Sequence, residues 1–150
     1  MSEYLVSKLS ELLGKNEYFF TEDVIKFLGW FNLLLVLIAL SQFLLRRVNK
    51  YAYGNKNVTI KKLLKPIIKI HPYVGALLLI SAYVHGDLAL SIFRIHTGPL
   101  AWWIVVVMML VALIGKKYRI KQWLRVHRSL AGLFIVAVLL HLFVRNLFSL

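Results

Sequence analysis

The run from Phe27 to Leu45 holds 19 residues without one charged side chain. That is close to the ~20 residues an α-helix needs to cross a hydrocarbon core of ~30 Å. Inside a bilayer the backbone must satisfy its own polar groups, which restricts such a run to a helix or a closed barrel. Three more apolar runs follow, from about Pro72 to Phe93, from Pro99 to Gly115, and from about His127 to Val144. Arg46-Arg47, Arg94, Lys116-Lys117 and Arg145 close the four runs in turn. Thr97-Gly98-Pro99 marks a tight turn and a helix start, since proline is tolerated in a first turn. The expected fold class is all-α, an integral membrane four-helix bundle over residues 24–150. At 60% apolar residues and a mean hydropathy of +0.73, the chain is too apolar for a soluble domain of its size.

Charge sets the expected orientation. Residues 46–69 hold eight basic side chains and residues 116–128 hold six, with no acid in either segment. In a four-crossing topology both segments lie on one side, and the positive-inside rule makes that side cytoplasmic. The expected location is therefore a prokaryotic cell membrane, with four spans and both termini outside. Trp30, Trp102 and Trp103 fall at the outer interface and Trp123 at the inner one, as an aromatic belt would have them. The net charge of +13 is explained by this placement, so no nucleic-acid partner is expected; membrane lipid is.

Residues 1–23 carry five of the six acids and form an outward-facing interfacial segment. No basic stretch precedes an apolar run with a small-residue cleavage site, so no cleavable signal peptide is expected here. Leu5, Leu9, Leu12 and Leu13 are at helical spacing, which suits a short amphipathic helix stopped by Gly14; a frayed terminus is the alternative. In the first basic segment, Ile60, Leu63, Leu64 and Ile67 are spaced among lysines. Residues 58–70 thus read as a surface-lying helix on anionic lipid, or as a docking face for an acidic partner.

The absence of cysteine excludes thiolate-held iron–sulfur clusters, disulfides and c-type haem attachment. It leaves haem b, which needs only imidazole nitrogens. His71 and His85 are 14 positions apart, as are His127 and His141, and the two pairs are offset by a constant 56. Fourteen helical steps fall about 40° short of whole turns and rise about 21 Å. Each helix would therefore present two imidazoles on one face, one toward each side of the membrane. With both helices running the same way, His71 meets His127 at the inner level and His85 meets His141 at the outer. Ionisable side chains inside spans are costly and usually functional, and this frame suits two stacked haems with bis-histidine ligation. Isolated core histidines are the alternative for any one residue. A zinc site fits poorly, since it wants a tight cluster of four ligands.

Other residues could support such cofactors. Gly75 and Gly132 follow the inner histidines by four and five positions; each could admit a flat macrocycle or simply close helix packing. Ser81 could accept from His85 Nδ1 or bond to its own helix. Haem propionates want cations. Arg128, with Arg125, Arg46, Arg47 and Lys69, could serve inside, and Arg145 or Arg94 outside. His96 lies in a loop, and Asp87 could pair with Arg94 or Arg145. Pro72 directly after His71 puts that histidine either at a helix start or in a helix that begins near Pro66 and kinks.

The strings H-P-Y-V-G with a histidine 14 on, T-G-P-L-A-W-W, and V-H-R-S-L-A-G with another histidine 14 on resemble the transmembrane domain of ferric reductases and NADPH oxidases. The resemblance covers about residues 24–150. It implies electron transfer from a cytoplasmic donor through two haems b to an acceptor outside. It also implies a shorter form, since the family's iron- and oxygen-reducing members usually carry six helices and a flavin and NAD(P)H module. The N-terminal half of cytochrome b from quinol-oxidising complexes also looks similar, in the reverse orientation. The chain has no dinucleotide signature, so a separate donor is expected, a flavoprotein or another oxidoreductase subunit, in a homo- or hetero-oligomer. Two alternatives stay open: a quinone-reactive anchor subunit of a larger oxidoreductase, and a haem-free assembly or metal-carrier protein.

Overall fold

The computed structural model describes residues 2–14, 17–90 and 97–143, and the described residues form five helices. They are α1 (Ser2–Leu12), α2 (Glu17–Tyr53), α3 (Val58–Leu90), α4 (Thr97–Lys117) and α5 (Trp123–Phe143). The last four are long and apolar enough to cross a membrane, as a multi-pass membrane protein requires. Arg94, His96 and Arg145 lie outside the described residues.

The apolar runs do not set the helix limits: α2 and α3 continue well beyond theirs at the basic end. At ~1.5 Å per residue, α2 and α3 are about 55 and 50 Å long, and α4 and α5 only about 31 Å. Residues 58–70 are therefore not a separate surface helix. They are the first part of α3, which starts before Pro66 and carries both Pro66 and Pro72 inside it. His71 accordingly sits inside a helix and not at its start, the second of the two alternatives, though that helix begins at Val58 and not near Pro66. The α2–α3 turn is closed locally. Gly54 and Asn55 take positive φ of 54° and 64°. Buried Asn49 accepts from Asn57 N at 3.3 Å, and Asn57 caps α3 by accepting from Ile60 N at 3.0 Å.

The bundle is two antiparallel hairpins, α2–α3 and α4–α5, joined along α3 and α4. Trp102 Nε1 on α4 donates to Leu79 O on α3 at 3.0 Å, and the place of a Cβ at Gly75 on α3 is 3.3 Å from Met109 Sδ on α4. No Cα of α3 lies within 8 Å of a Cα of α5, nor any of α2 within that distance of α4 or α5. Directly packed helices have their axes only about 8–10 Å apart, so their nearest Cα atoms approach much closer than this. A side-chain core bridges the centre: Leu35 and Val36 of α2, Leu78 of α3, Ile104 and Val105 of α4, and Phe134 and Ala137 of α5. Large apolar side chains elsewhere, such as Trp30, Leu113 and Ile80, face outward, as lipid contact demands.

α1 packs on α2 and α3 through Val6 and Ser10, which are buried, while Leu5, Leu9, Leu12 and Leu13 are exposed. The leucine stripe is turned away from the protein, where an interfacial helix would meet lipid. Gly14 ends it with φ 61° and its N–H on Glu11 O, a left-handed helix stop.

The α4–α5 turn is the tightest place in the fold. A Cβ on buried Gly115 would fall 2.1 Å from Trp123 Cβ, whereas one on Gly132 would meet nothing within 4 Å. Gly115→Ala should destabilise the protein by about 1–3 kcal/mol through a forced backbone shift. Gly132→Ala should be neutral or stabilise by up to about 1 kcal/mol. Thermal unfolding of the two variants in detergent would compare them directly, and equal melting temperatures would contradict the turn geometry.

Candidate functional site

Two levels of paired imidazoles face each other across the gap between α3 and α5. The His71 and His127 rings are 6.2 Å apart between centroids with an interplanar angle of 81°. The His85 and His141 rings are 6.3 Å apart at 89°. The near-identical spacing at both levels means that α3 and α5 run parallel and in register. Leu78 lies seven positions from each histidine of its helix, and Phe134 seven from each of its own. Both are buried, so an apolar layer separates the two levels.

What holds each ring is backbone and hydroxyl oxygen on the neighbouring helices. His85 Nδ1 is 3.1 Å from Ile25 O on α2. His127 Nδ1 is 3.2 Å from Met108 O on α4. His141 Nδ1 is 3.1 Å from Thr97 Oγ1, at the start of α4. A carbonyl oxygen can only accept, so His85 and His127 must carry a proton on Nδ1. In the neutral ring, Nε2 then keeps its lone pair. This is the arrangement found where imidazole binds a metal: one nitrogen anchored, the other presented. His71 differs: the Ala39 backbone on α2 interacts with its ring, but its buried Nδ1 makes no hydrogen bond of good geometry.

Small side chains make these bonds possible. In an α-helix the carbonyl of residue i points along the axis toward residue i+4, whose side chain overhangs it. Residue i+4 is Gly29 for the Ile25 carbonyl and Ala112 for the Met108 carbonyl. A Cβ on Gly29 would lie 3.3 Å from His85 Cε1, and one on Gly98 3.3 Å from His141 Cε1. Both outer rings are thus seated directly against glycine backbone. Trp123 packs beside His127 with ring centroids 6.3 Å apart.

Several residues singled out from sequence have other occupations. Ser81 Oγ donates to Asn32 Oδ1 at 2.5 Å and also contacts Leu77 O at 2.8 Å, so it does not hold His85. At Gly75 the free space is taken by Met109, the close-packing role of the two considered, while Gly132 is exposed beside open space. Arg128 is exposed on the helix face next to His127. Asp87, two residues beyond His85, has partners of its own in the structure. Ile25, Gly29, Gly98, Thr97, Met108 and Ala112 were not singled out from the sequence as site residues. Backbone acceptors leave no residue-type signal, and a glycine seated against a ring looks like any other glycine.

The donor chemistry narrows what the pairs can hold. No three or more His, Cys, Asp and Glu side chains converge among the described residues, so a metal needing several protein ligands has no set of them here. Haem iron needs only two, its other four nitrogens coming from the macrocycle. A metal–imidazole bond of about 2.0–2.1 Å, plus about 1.1 Å from nitrogen to ring centre, puts two axial rings about 6.3 Å apart. A direct imidazole–imidazole hydrogen bond of about 2.9 Å would bring them to about 5.1 Å. The observed spacings, and a seam that α3 and α5 leave unpacked, fit the group. Compared with known proteins, the chain matches no family model, no curated protein and no solved structure.

The tautomers are directly measurable. Nitrogen-15 NMR of the cofactor-free protein should show Nδ1 protonated and Nε2 unprotonated for His85 and His127. Finding Nε2–H at either residue would contradict the carbonyl anchors. Gly29→Val should break the bond of His85 to Ile25 and leave the His127 signals in place.

Proposed function

We propose that the chain is a di-haem b-type cytochrome that carries electrons across a membrane. One haem is held by His71 and His127, the other by His85 and His141. The observation that carries this reading is the pair of equal ring spacings, 6.2 and 6.3 Å, at two levels about 21 Å apart along the helices. Edge-to-face packing of rings also covers such distances. It does not account for two matched levels, nor for the carbonyl anchors on His85 and His127 that leave each of those rings its Nε2 lone pair.

Held by these histidines, a haem would supply one-electron redox chemistry. The residues around it do the rest. Ile25, Met108 and Thr97 hold ring orientation, and Gly29 and Gly98 let the outer rings sit back against backbone. Leu78 and Phe134 keep water out of the space between the levels. Arg128, one residue from His127, is placed to meet inner propionates; Arg94 and Arg145 are the corresponding proposals outside. With the basic end cytoplasmic, electrons enter at the inner level and leave outward. An inside-negative potential favours that direction by about 2.3 kcal/mol per charge per 100 mV for a full crossing. The donor is a separate cytoplasmic protein, since no nucleotide signature stands in the chain. Kinship with ferric reductases and NADPH oxidases rests on the sequence strings alone.

Purified protein should show a b-type visible spectrum with two haems per chain. His71→Ala and His127→Ala should each remove the same haem, and His85→Ala and His141→Ala the other. Gly98→Leu should cost the outer haem only. A colourless protein that takes up no haem would refute the reading, and loss of one shared haem in His71→Ala and His141→Ala would refute the pairing.

A further inference from the structure

Where the α2–α3 hairpin extends past the α4–α5 turn, it leaves a corner. From the His71–His127 level, α3 continues 13 residues to Val58 while α5 continues only four to Trp123, a difference of about 14 Å. An open cleft of about 450 Å³ occupies this corner. Arg47 lines it from α2, and Lys121, Arg125 and Arg128 line it from the turn and first residues of α5. Gln122 and Ser129 add polar groups, and Phe43 and Leu124 supply apolar wall.

We propose that this cleft binds the phosphodiester headgroup of an anionic phospholipid. Four cations share it, and the chain supplies no counter-charge: beyond residue 23 the only acid is Asp87, at the opposite end of α3. Arg47 is already oriented. Its guanidinium lies 5.0 Å from the Phe43 ring centroid, and Nη1 donates to the Tyr51 hydroxyl at 2.9 Å. Arg125 and Arg128 are one turn apart and so share a face of α5, whose N-terminus adds its own positive field. A lipid is favoured over a soluble phosphate by position. Phe43 belongs to the charge-free run that ends at Leu45, so the cleft straddles the level where apolar span gives way to water. Acyl chains can lie beside Phe43 and Leu124 while the headgroup meets the cations, as in other basic pockets between membrane helices. Neither His71 nor His127 lines the cleft; of its four cations Arg128 alone is also proposed above for an inner propionate, so the lipid site is argued from Arg47, Lys121 and Arg125 and does not depend on the haem reading.

The test uses the full chain in nanodiscs of phosphatidylcholine containing some phosphatidylglycerol, with retained lipid read by native mass spectrometry. The wild type should keep phosphatidylglycerol selectively. Arg125→Gln should weaken retention about fivefold, and Arg47→Gln with Arg125→Gln about 30-fold, at the usual worth of a cation near an anionic surface. Lys61→Gln with Lys62→Gln removes the same charge from the exposed start of α3 and should leave retention unchanged. Equal loss in both double variants would reduce the effect to general attraction and overturn the site. So would displacement of the lipid by inorganic phosphate, which would make a soluble anion the ligand. Loss of haem with lipid still retained in the arginine variant would assign the cleft to propionates instead.

Discussion

Four imidazoles inside apolar helices are the expense around which this molecule is built. A buried ring with an unsatisfied nitrogen costs about 1–3 kcal/mol, and lipid offers no water to make it good. Three of the four rings meet that cost at Nδ1, on Ile25 O, Met108 O and Thr97 Oγ1. Each such bond also fixes where the second nitrogen points. Rings anchored on α2 and α4 sit in the seam between α3 and α5, where each faces another ring. The structure is consistent with a group that takes two imidazoles and brings its own remaining bonds.

That constraint explains the uneven packing. Helices in lipid associate through close contact of small residues and a few polar bonds, not through hydrophobic expulsion from water. The α3–α4 seam has such a contact, Gly75 against Met109, together with the Trp102–Leu79 bond. The α3–α5 seam is held apart, and only its middle is filled, by Leu78 and Phe134. A bundle that closed this seam would bury the histidines against each other and lose both levels. The glycines at 29 and 98 work in the opposite sense, letting the rings recede so that the space lies in front of them.

Four spans and an amphipathic start were legible in the sequence because lipid imposes a coarse rule, about 20 apolar residues per crossing. The histidine register was legible for a related reason: a 14-residue interval and a constant offset survive any small error in helix ends. Helix limits were not legible, because charge marks where the membrane stops and not where hydrogen bonding does. α2 and α3 continue through lysines, arginines and two prolines. Pro66 falls in the third turn from a helix start capped by Asn57, and Pro72 lies in a segment braced by α2, so neighbouring helices hold what the missing N–H loosens. Two of the three ring anchors were hidden because their acceptors are the backbone carbonyls of Ile25 and Met108. Their one sequence trace, a glycine or alanine four positions after the accepting residue, has meaning only once the acceptor is known.

The length of α2 and α3 that sequence reading missed changes the electrostatics of the basic end. Had residues 58–70 lain flat as a separate helix, their lysines would have been spread over the membrane surface as a diffuse charge. As a continuation of α3 they stand in a hairpin above the short α4–α5 turn, and the arginines nearest the apolar spans are gathered into its corner. Cations held close together repel, and no Asp or Glu stands at this end of the helices to offset them. An isolated chain would be penalised for that arrangement. A chain in an anionic leaflet would not, because the leaflet supplies the missing negative charge at the same depth, about 1 kcal/mol per cation. The acid-free basic end is therefore coherent with the proposed lipid site: a bound anionic headgroup would complete the ion pairing that a soluble protein would have encoded in its own residues.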